Sequence, residues 1–423
     1  MDSKTSGKPK SIAWRIVEFL SSFGLATVLF VLLGILVLLA TLAQTNVGTH
    51  DVIRDYFSSA GVMHYFYKDG PDGEPMRSTW GIPFIGGYPL MALLFVNILL
   101  GGLIRIRKKP QTIGVVISHF SILVLLAWGF VTNHFVDEGN VRIFEGEEID
   151  YFTDYTKWDM ELVQETGEDA RSQVFVIPYE QMKAVKGGGS RRVFENDAWP
   201  FDIAVADYMR NSAVRLAADA PKEARSVDGY ALEEKSREKQ AELNIPGLYV
   251  DISADGEAVG EGIVWGLARE PLTITAPSGD KWSLQIRKRV YELPYTIKLR
   301  DFIKEDHPGT AMARRYMSDV TRIDGDLQED VRIRMNHPLA SGQYTFYQAS
   351  FGPQEGDPPG TPPYTVLAVW KRPLLAGDWP LFACFTVALG LVIHFVMGLV
   401  RYFKREALHE ARRAAKEQTP AEA

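Results

Sequence analysis

The sequence predicts a membrane protein of the α+β class. We expect four transmembrane helices and a large β-rich, sandwich-like extracytoplasmic domain between helices three and four. Four runs of about 20 uncharged, mostly apolar residues are each long enough to cross about 30 Å of hydrocarbon. Clusters of Lys and Arg flank these runs on alternate sides. Between the third and fourth runs, short alternating segments separated by turn residues are typical of strands.

The apolar runs define the predicted transmembrane helices at residues 23–43, 84–104, 113–133 and 379–401. The first run is too long for a cleaved signal peptide and no A-x-A site follows it, so we expect it to remain as a helix. A buried helix of a soluble protein is the alternative for each run. A soluble core rarely needs so many consecutive uncharged residues, which favours the membrane interpretation.

Basic residues predict the orientation in the membrane. The three clusters are Lys4, Lys8, Lys10 and Arg15, then Arg105, Arg107, Lys108 and Lys109, and finally Arg401, Lys404 and Arg405. The positive-inside rule puts all three in the cytoplasm, in segments 1–22, 105–112 and 402–423. The loop 44–83 and the domain 134–378 are then extracytoplasmic. We therefore expect a multi-pass protein of the inner (plasma) membrane, with both termini in the cytoplasm and the large domain on the periplasmic face.

Composition excludes several functions. The net charge is -7 and no basic tract is dense, which excludes the usual signature of nucleic-acid binding. The single cysteine, Cys384, lies inside the fourth run, so the outer domain has no disulfide and the chain has neither C-x-x-C nor C-x-x-C-H. No catalytic signature such as G-x-S-x-G or H-E-x-x-H is present, and we find no independent catalytic site.

Two parts of the outer domain interrupt the strand pattern. Residues 217–244 are rich in Glu, Lys, Arg and Ala and have few apolar positions. We expect this segment to be an exposed helix or a mobile insertion. The glycines Gly187 to Gly189 mark a loop.

Two histidines lie inside the apolar runs, His119 in the third and His394 in the fourth. An ionisable side chain at membrane depth is costly and usually faces a partner, a cavity or a cofactor. Both lie in the predicted cytoplasmic half, because His119 follows Lys109 by ten residues and His394 precedes Arg401 by seven. Neutral imidazole is an axial ligand of haem iron, so two such helices could hold a b-type haem. The alternative for each histidine is a structural hydrogen bond between helices.

Five other histidines are weaker candidates. His50, His64 and His134 lie in the predicted outer segments, where they could face a ligand at the membrane surface. An ordinary polar loop residue explains each of them as well. His307 and His337 each precede a proline, and we expect them to be surface residues.

The stretch from Tyr291 to Val320 reads YELPYTIKLRDFIKEDHPGTAMARRYMSDV, and Val331 to Pro353 reads VRIRMNHPLASGQYTFYQASFGP. With the three-helix, outer-domain, fourth-helix layout and the GLVIHF segment, they resemble the ResB (CcsB) family of cytochrome c biogenesis proteins. That family shows a similar run with a Leu-Pro-Phe-Thr-like start, a Pro-Gly-Thr, an Asn-x-Pro-Leu and a Tyr-Gln-Ala-Ser. The resemblance covers nearly the whole chain.

The resemblance implies a role in the System II route of cytochrome c maturation. There a ResB-like subunit pairs with a ResC (CcsA) subunit, and the pair carries haem b across the membrane to an apocytochrome c with a Cys-x-x-Cys-His motif. The resemblance implies that His119 is one axial ligand of the haem iron and that the partner supplies the other. It assigns no role to His394 and offers no match for segment 217–244. The Trp-rich haem segment of ResC is absent here, so we expect the chain to act with that partner.

Two other function classes stay open at this point. A b-type haem electron-transfer subunit would use His119 and His394 as a bis-His pair and would retain haem when expressed alone. A membrane-anchored adaptor or scaffold would bind no haem, and His119 would be structural.

Overall fold

The computed structural model describes residues 11–69, 75–165, 173–185, 190–220, 224–310, 312–354, 356–373 and 379–417. The predicted loop Gly187 to Gly189 and the basic residues Lys4, Lys8 and Lys10 lie outside these ranges. The helices are α1 (Ile12–Leu20), α2 (Phe23–Gln44), α3 (Thr49–Val52), α4 (Gly87–Asn97), α5 (Ile113–Phe135), α6 (Tyr179–Met182) and α7 (Trp379–Glu417). A π-helical turn, Ile98–Ile104, continues α4, another, Ile53–Phe57, follows α3, and short 3-10 turns cover Pro110–Thr112, Ala217–Asp219 and Ala241–Leu243.

Within the described ranges, four helical segments are long and apolar enough to cross a membrane. They are Phe23–Gln44, Gly87–Ile104, Pro110–Phe135 and Trp379–Arg413. These segments confirm the membrane character that the apolar runs predict. The orientation, and with it the cytoplasmic placement of the termini, stays a prediction.

The chain divides into two units, which are described separately. The helical unit comprises the described residues of Met1–Asn46, Val52–Val136 and Pro373–Ala423, and the β-rich unit those of Val47–Asp51 and Asp137–Arg372.

Asn97, a polar residue in the second spanning segment, is buried against the break between α1 and α2. Its side-chain Nδ2 donates to the carbonyl oxygens of Leu20 (2.7 Å) and Ser22 (3.0 Å). Arg105, directly after the π-helical turn, donates to Ser21 Oγ. Because polar groups at membrane depth have to be satisfied within the protein, these bonds fix the second spanning segment beside the α1–α2 break.

A β-hairpin occupies much of the predicted loop 44–83. Strand β1 (Gly61–Asp69) pairs antiparallel with β2 (Pro75–Ile85), and one residue, Gly86, separates β2 from α4. The sequence predicts only a loop here, and the hairpin is a feature that only the structure reveals.

The β-rich unit contains the remaining strands. They are β3 (Asp137–Phe144), β4 (Glu148–Gln164), β5 (Val174–Ile177), β6 (Arg191–Phe194), β7 (Asp202–Met209), β8 (Ser212–Leu216), β9 (Ser226–Val227), β10 (Tyr230–Glu234), β11 (Gly247–Ala254), β12 (Glu257–Trp265), β13 (Leu272–Thr275), β14 (Lys281–Asp306), β15 (Ala313–Asp324), β16 (Leu327–Arg334), β17 (Leu339–Ser341), β18 (Tyr344–Gly352) and β19 (Tyr364–Lys371). The largest sheet has ten strands, with the order β16-β15-β14-β4-β3-β19-β18-β17, while β13 pairs with β14 and β5 with β4. Two smaller sheets have the orders β12-β11-β7-β6 and β8-β10-β9. The large β-rich domain that the sequence predicts is therefore confirmed.

The prediction for residues 217–244 was wrong. In the described part of this segment, β10 pairs with both β8 and β9, and only short 3-10 turns are helical. Ala231 and Leu232 are buried, and the Leu232 amide donates to the Tyr249 hydroxyl at 2.7 Å. A two- to five-residue strand in a small sheet buries few apolar side chains, so the segment keeps a composition that resembles a solvated helix.

Two long strands, β4 and β14, pass through both hydrophobic cores of the β-rich unit. In one core they contribute Trp158, Met160 and Leu162 from β4, and Trp282, Leu284 and Ile286 from β14. In the other they contribute Ile149 and Phe152 from β4, and Leu293, Tyr295, Ile297 and Leu299 from β14. The two cores therefore share a common pair of strands.

A polar junction separates the two cores on these strands. The register shifts there, and residues 154–157 of β4 bulge opposite Arg289 of β14. Arg289 donates twice to the buried carboxylate of Asp159, at 2.8 Å each, and also to Glu180. Tyr291 donates to Asp154 at 2.9 Å, and burial together with this carboxylate raises the pKa of Tyr291. The junction therefore satisfies its buried charges internally, as a low-dielectric site requires.

We predict that Arg289→Ala lowers the free energy of unfolding of the protein by about 3–5 kcal/mol, because it leaves the buried Asp159 carboxylate without its guanidinium partner. Thermal or urea unfolding of the purified protein in detergent measures this loss. Arg287→Ala is the matched control, since Arg287 is exposed and lies 3.7 Å from Glu161, a pair worth at most about 1 kcal/mol. Equal losses in the two variants would contradict the prediction.

Candidate functional site

One face of α5 packs closely against α7 through small residues. A Cβ added at Gly114 would lie 2.4 Å from the Gly390 carbonyl oxygen. Ser118 Oγ donates to the Val387 carbonyl at 3.3 Å, and Ser121 Oγ lies 2.6 Å from Thr386 Oγ1. Small and hydroxylated residues allow helices in a membrane to approach and to hydrogen-bond. This contact fixes the rotation of α5 about its axis.

His119 lies on a different face of α5 from this contact. At 3.6 residues per turn it is about 100° around the helix from Ser118. Its imidazole lies against Gly102 in the π-helical turn, where an added Cβ would be 2.7 Å from Nδ1 and 2.8 Å from Cγ. His119 Nδ1 is buried and has no hydrogen-bond partner.

His394 lies on α7 at the α5 contact. A Cβ at Gly114 would be 2.6 Å from its backbone nitrogen, and its ring centroid is 5.8 Å from that of Phe395. His394 Nδ1 is also buried and without a partner. His394 thus meets α5 through its backbone at Gly114, whereas the His119 imidazole meets Gly102.

The remaining sequence-predicted histidines are engaged by the protein or lie at its surface. His64 is buried, with Nδ1 2.6 Å from the Tyr56 hydroxyl. His134 places Nδ1 2.9 Å from the Phe130 carbonyl and Nε2 3.0 Å from the Tyr88 hydroxyl. A carbonyl can only accept, so Nδ1 of His134 carries the proton and Nε2 accepts from the phenol.

His50 lines a cavity of about 40 Å³ together with Asp51, Arg210 and Arg237. Asp51 pairs with Arg237 at 3.1 Å and with Arg210 at 3.9 Å. Pockets for cofactors are typically about 300 Å³ or more, so this cavity does not hold a haem. His307 and His337 are exposed.

The donor set fits a haem iron better than a bare metal ion. In the ranges that the structure describes, no group of three or more His, Cys, Asp or Glu side chains could hold a metal ion. A haem iron needs at most two ligands from protein, because the porphyrin supplies the other four. Among the described histidines, only His119 and His394 have a buried ring nitrogen without a partner. The His119 ring lies against Gly102 in a neighbouring helical segment.

Gly102 is not among the residues that the sequence singles out, although an added Cβ there would lie 2.7 Å from Nδ1 of His119. The neighbouring glycines Gly101 and Gly102 are the only signal of this in the sequence, and glycine is common in transmembrane helices for other reasons.

We predict that the β1–β2 hairpin loses stability as the pH falls below about 6.5. Burial lowers the pKa of His64 and raises that of Tyr56 to about 12, so the phenol stays protonated and donates to a neutral imidazole. The unfolded chain therefore binds the histidine proton first, at its ordinary pKa of about 6.5, and stability falls with pH from there down to the lower folded pKa. Hydrogen exchange of residues 61–85 between pH 7.5 and 5, corrected for the intrinsic rate, measures this change.

The His64→Gln variant should lose this pH dependence, whereas His307→Gln, at an exposed position, should keep it. The same pH dependence in both variants would assign it to another group.

Residues 272–359 match the ResB-like family. This range covers β13 to β18 and includes the stretch from Tyr291 to Pro353 on which the resemblance rests. Protein NrfI of Wolinella succinogenes is 22% identical over 343 residues, which are 80% of this chain and 32% of that protein. The chain thus spans about a third of the length of this curated relative. The two matches support the resemblance that the sequence predicts: residues 272–359 match the ResB-like family, and 80% of the chain is similar to part of NrfI.

Proposed function

We propose that this chain is a subunit of a System II cytochrome c synthase complex, which holds haem b in the membrane and presents it to apocytochrome c. The family match supports the broader assignment, a role in cytochrome c biogenesis. The observation that carries the finer proposal is the imidazole of His119, an ionisable side chain in an apolar helix that is long enough to span a membrane.

His119 Nδ1 is buried against Gly102, where an added Cβ would lie 2.7 Å from it. This side of the ring is closed to an iron, so we propose that a haem would be bound through Nε2. His119 would hold the haem through its iron, and a bound haem would supply the vinyl groups for thioether formation with the apocytochrome thiols. This chain's part is to bind, to orient and to exclude water.

The second axial ligand comes from a partner helix in this proposal. His394 is on the helix that contacts the other face of α5, and the other described histidines are engaged by the protein, exposed or in a small cavity. A ResC (CcsA)-like membrane subunit is the partner that the family resemblance implies.

The β-rich unit would serve as the docking surface for the apocytochrome. It contains the ResB-like segment, residues 272–359. We propose that recognition there depends on surface complementarity rather than on a nucleophile of this chain. The Cys-x-x-Cys-His thiols belong to the apocytochrome, so the β-rich unit needs no cysteine.

The proposed orientation puts both termini in the cytoplasm and the β-rich unit in the periplasm, across the inner membrane. Two basic clusters support it: Arg105, Arg107, Lys108 and Lys109, and Arg401, Lys404 and Arg405. In this orientation His119, the proposed haem-binding residue, lies in the inner half of the bilayer.

We predict that a membrane-impermeant maleimide labels Glu257→Cys in intact spheroplasts but labels Arg412→Cys only after lysis, both in a Cys384→Ala background. Both positions are exposed, and Cys384 is the only native cysteine. Lysed membranes are the control for reactivity at each site. Labelling of Arg412→Cys but not Glu257→Cys in intact spheroplasts would reverse the topology.

We predict that His119→Gly, co-expressed with its ResC-like partner, loses most of the Soret absorbance of the purified complex and regains it when imidazole is added. The side chain is replaced by a space that free imidazole can fill, so rescue reports on ligation rather than on folding. His394→Ala is the matched control and should keep its haem.

Equal haem in wild type and His119→Gly would remove His119 from the site. Haem retained by the chain alone and lost in both histidine variants would instead support a bis-His electron-transfer subunit. Absence of haem from the wild-type complex would support a scaffold.

A further inference from the structure

We infer that Gly102, in the π-helical turn of the second spanning segment, is a positioning residue for the imidazole of His119. The inference rests on the proposed function, because it concerns how this histidine is presented to a haem iron. It adds a residue outside α5 to the site.

The π-helical turn Ile98–Ile104 continues α4 without a break, and its last bond runs from the Arg105 amide to the Leu100 carbonyl at 2.9 Å. Such turns insert an extra residue and are frequent at functional sites. The two adjacent glycines of this turn, Gly101 and Gly102, face different neighbours. A Cβ at Gly101 would lie 2.8 Å from the Ser21 carbonyl oxygen, whereas one at Gly102 would meet the His119 ring.

The contact at Gly102 involves the Cβ atom of the His119 side chain as well as its ring. An added Cβ would lie 2.7 Å from Nδ1, 2.8 Å from Cγ and 3.2 Å from Cβ of His119. Distances below about 3.5 Å between carbon atoms are repulsive. Because Cγ and Cβ are involved, rotation of the outer ring alone cannot relieve the clash. Any side chain at residue 102 therefore displaces the imidazole or changes its χ1 angle.

The packing limits the ways in which the ring can respond. Ser118 and Ser121 hold the opposite side of α5 against α7, so α5 cannot simply rotate away. Asn97 and Arg105 hold the two ends of the π-helical turn beside the α1–α2 break. The glycine thus serves as a flat backbone surface against which the Nδ1 side of the ring lies.

The orientation of an axial imidazole matters for the metal that it binds. Groups that orient a ligand from outside the coordination sphere typically change metal affinity by about 10–100-fold when they are altered. Axial ligation also sets the reduction potential of a haem. Gly102 should therefore affect the haem without touching it.

The test uses the full chain co-purified with its ResC-like partner and compares Gly102→Ala with Gly129→Ala. Gly129→Ala is the matched control, since it adds the same methyl group to α5 at a position with no atom within 4 Å. Three properties are measured: haem retention, the Soret maximum and the reduction midpoint of the bound haem. We expect Gly102→Ala to retain haem about tenfold less tightly or more, with a shifted midpoint, and Gly129→Ala to resemble the wild type. Wild-type values in Gly102→Ala, or equal changes in both variants, would overturn the inference.

A double variant keeps the inference testable if Gly102→Ala does not accumulate. Gly102→Ala combined with His119→Gly removes the ring that the new methyl group would strike. We expect this protein to accumulate, and to bind haem with added imidazole as His119→Gly does, because free imidazole can shift by tenths of an ångström. Failure of the double variant to accumulate when His119→Gly does would show that the methyl group strikes something else. Unchanged haem in His119→Gly would instead refute the proposed site itself.

Discussion

The close approach of α5 and α7 is the constraint on which the arrangement of the helical unit depends. Gly114 and Gly390 leave no room for side chains where the two helices touch, and the hydroxyls of Ser118 and Ser121 bond across the contact. In hydrocarbon there is little hydrophobic force between helices, so packing and such polar contacts determine the rotation of each helix. Once the small residues occupy this face of α5, His119 has to lie on another. The second spanning segment then determines its surroundings.

Polar side chains, rather than apolar ones, hold the second spanning segment in position. Asn97 satisfies two carbonyl oxygens at the α1–α2 break, and Arg105 reaches the hydroxyl of Ser21. Apolar side chains facing lipid give no preference for one rotation over another. The polar contacts favour one rotation, in which Gly101 faces Ser21 and Gly102 faces His119. The position of the His119 ring thus follows from a small number of hydrogen bonds, those between α5 and α7 and those at the α1–α2 break.

Much of the fold could be predicted from the sequence, because long uncharged runs have few alternative explanations. The alternating strands of the β-rich unit are also visible in segments such as residues 281–306, which form β14. The small sheet around β10 was missed because only Ala231, Leu232 and a few neighbours are buried in it. The hairpin β1–β2 was missed because a two-stranded element with much of its surface exposed shows little alternation. In the site, His119 and His394 are conspicuous because an ionisable residue in an apolar run is rare. Gly102 is not, because its importance depends on a contact with a helix that follows later in the chain.

The shared strands of the β-rich unit have a thermodynamic consequence. Since β4 and β14 each contribute side chains to both hydrophobic cores, neither core can come apart without disturbing strands that the other one needs. The bulge and the charged junction between the cores do not divide the unit into two folding domains, because the chain remains paired on both sides of it. The unit should therefore behave as a single cooperative structure, in which binding energy gained at one end raises the resistance to opening at the other.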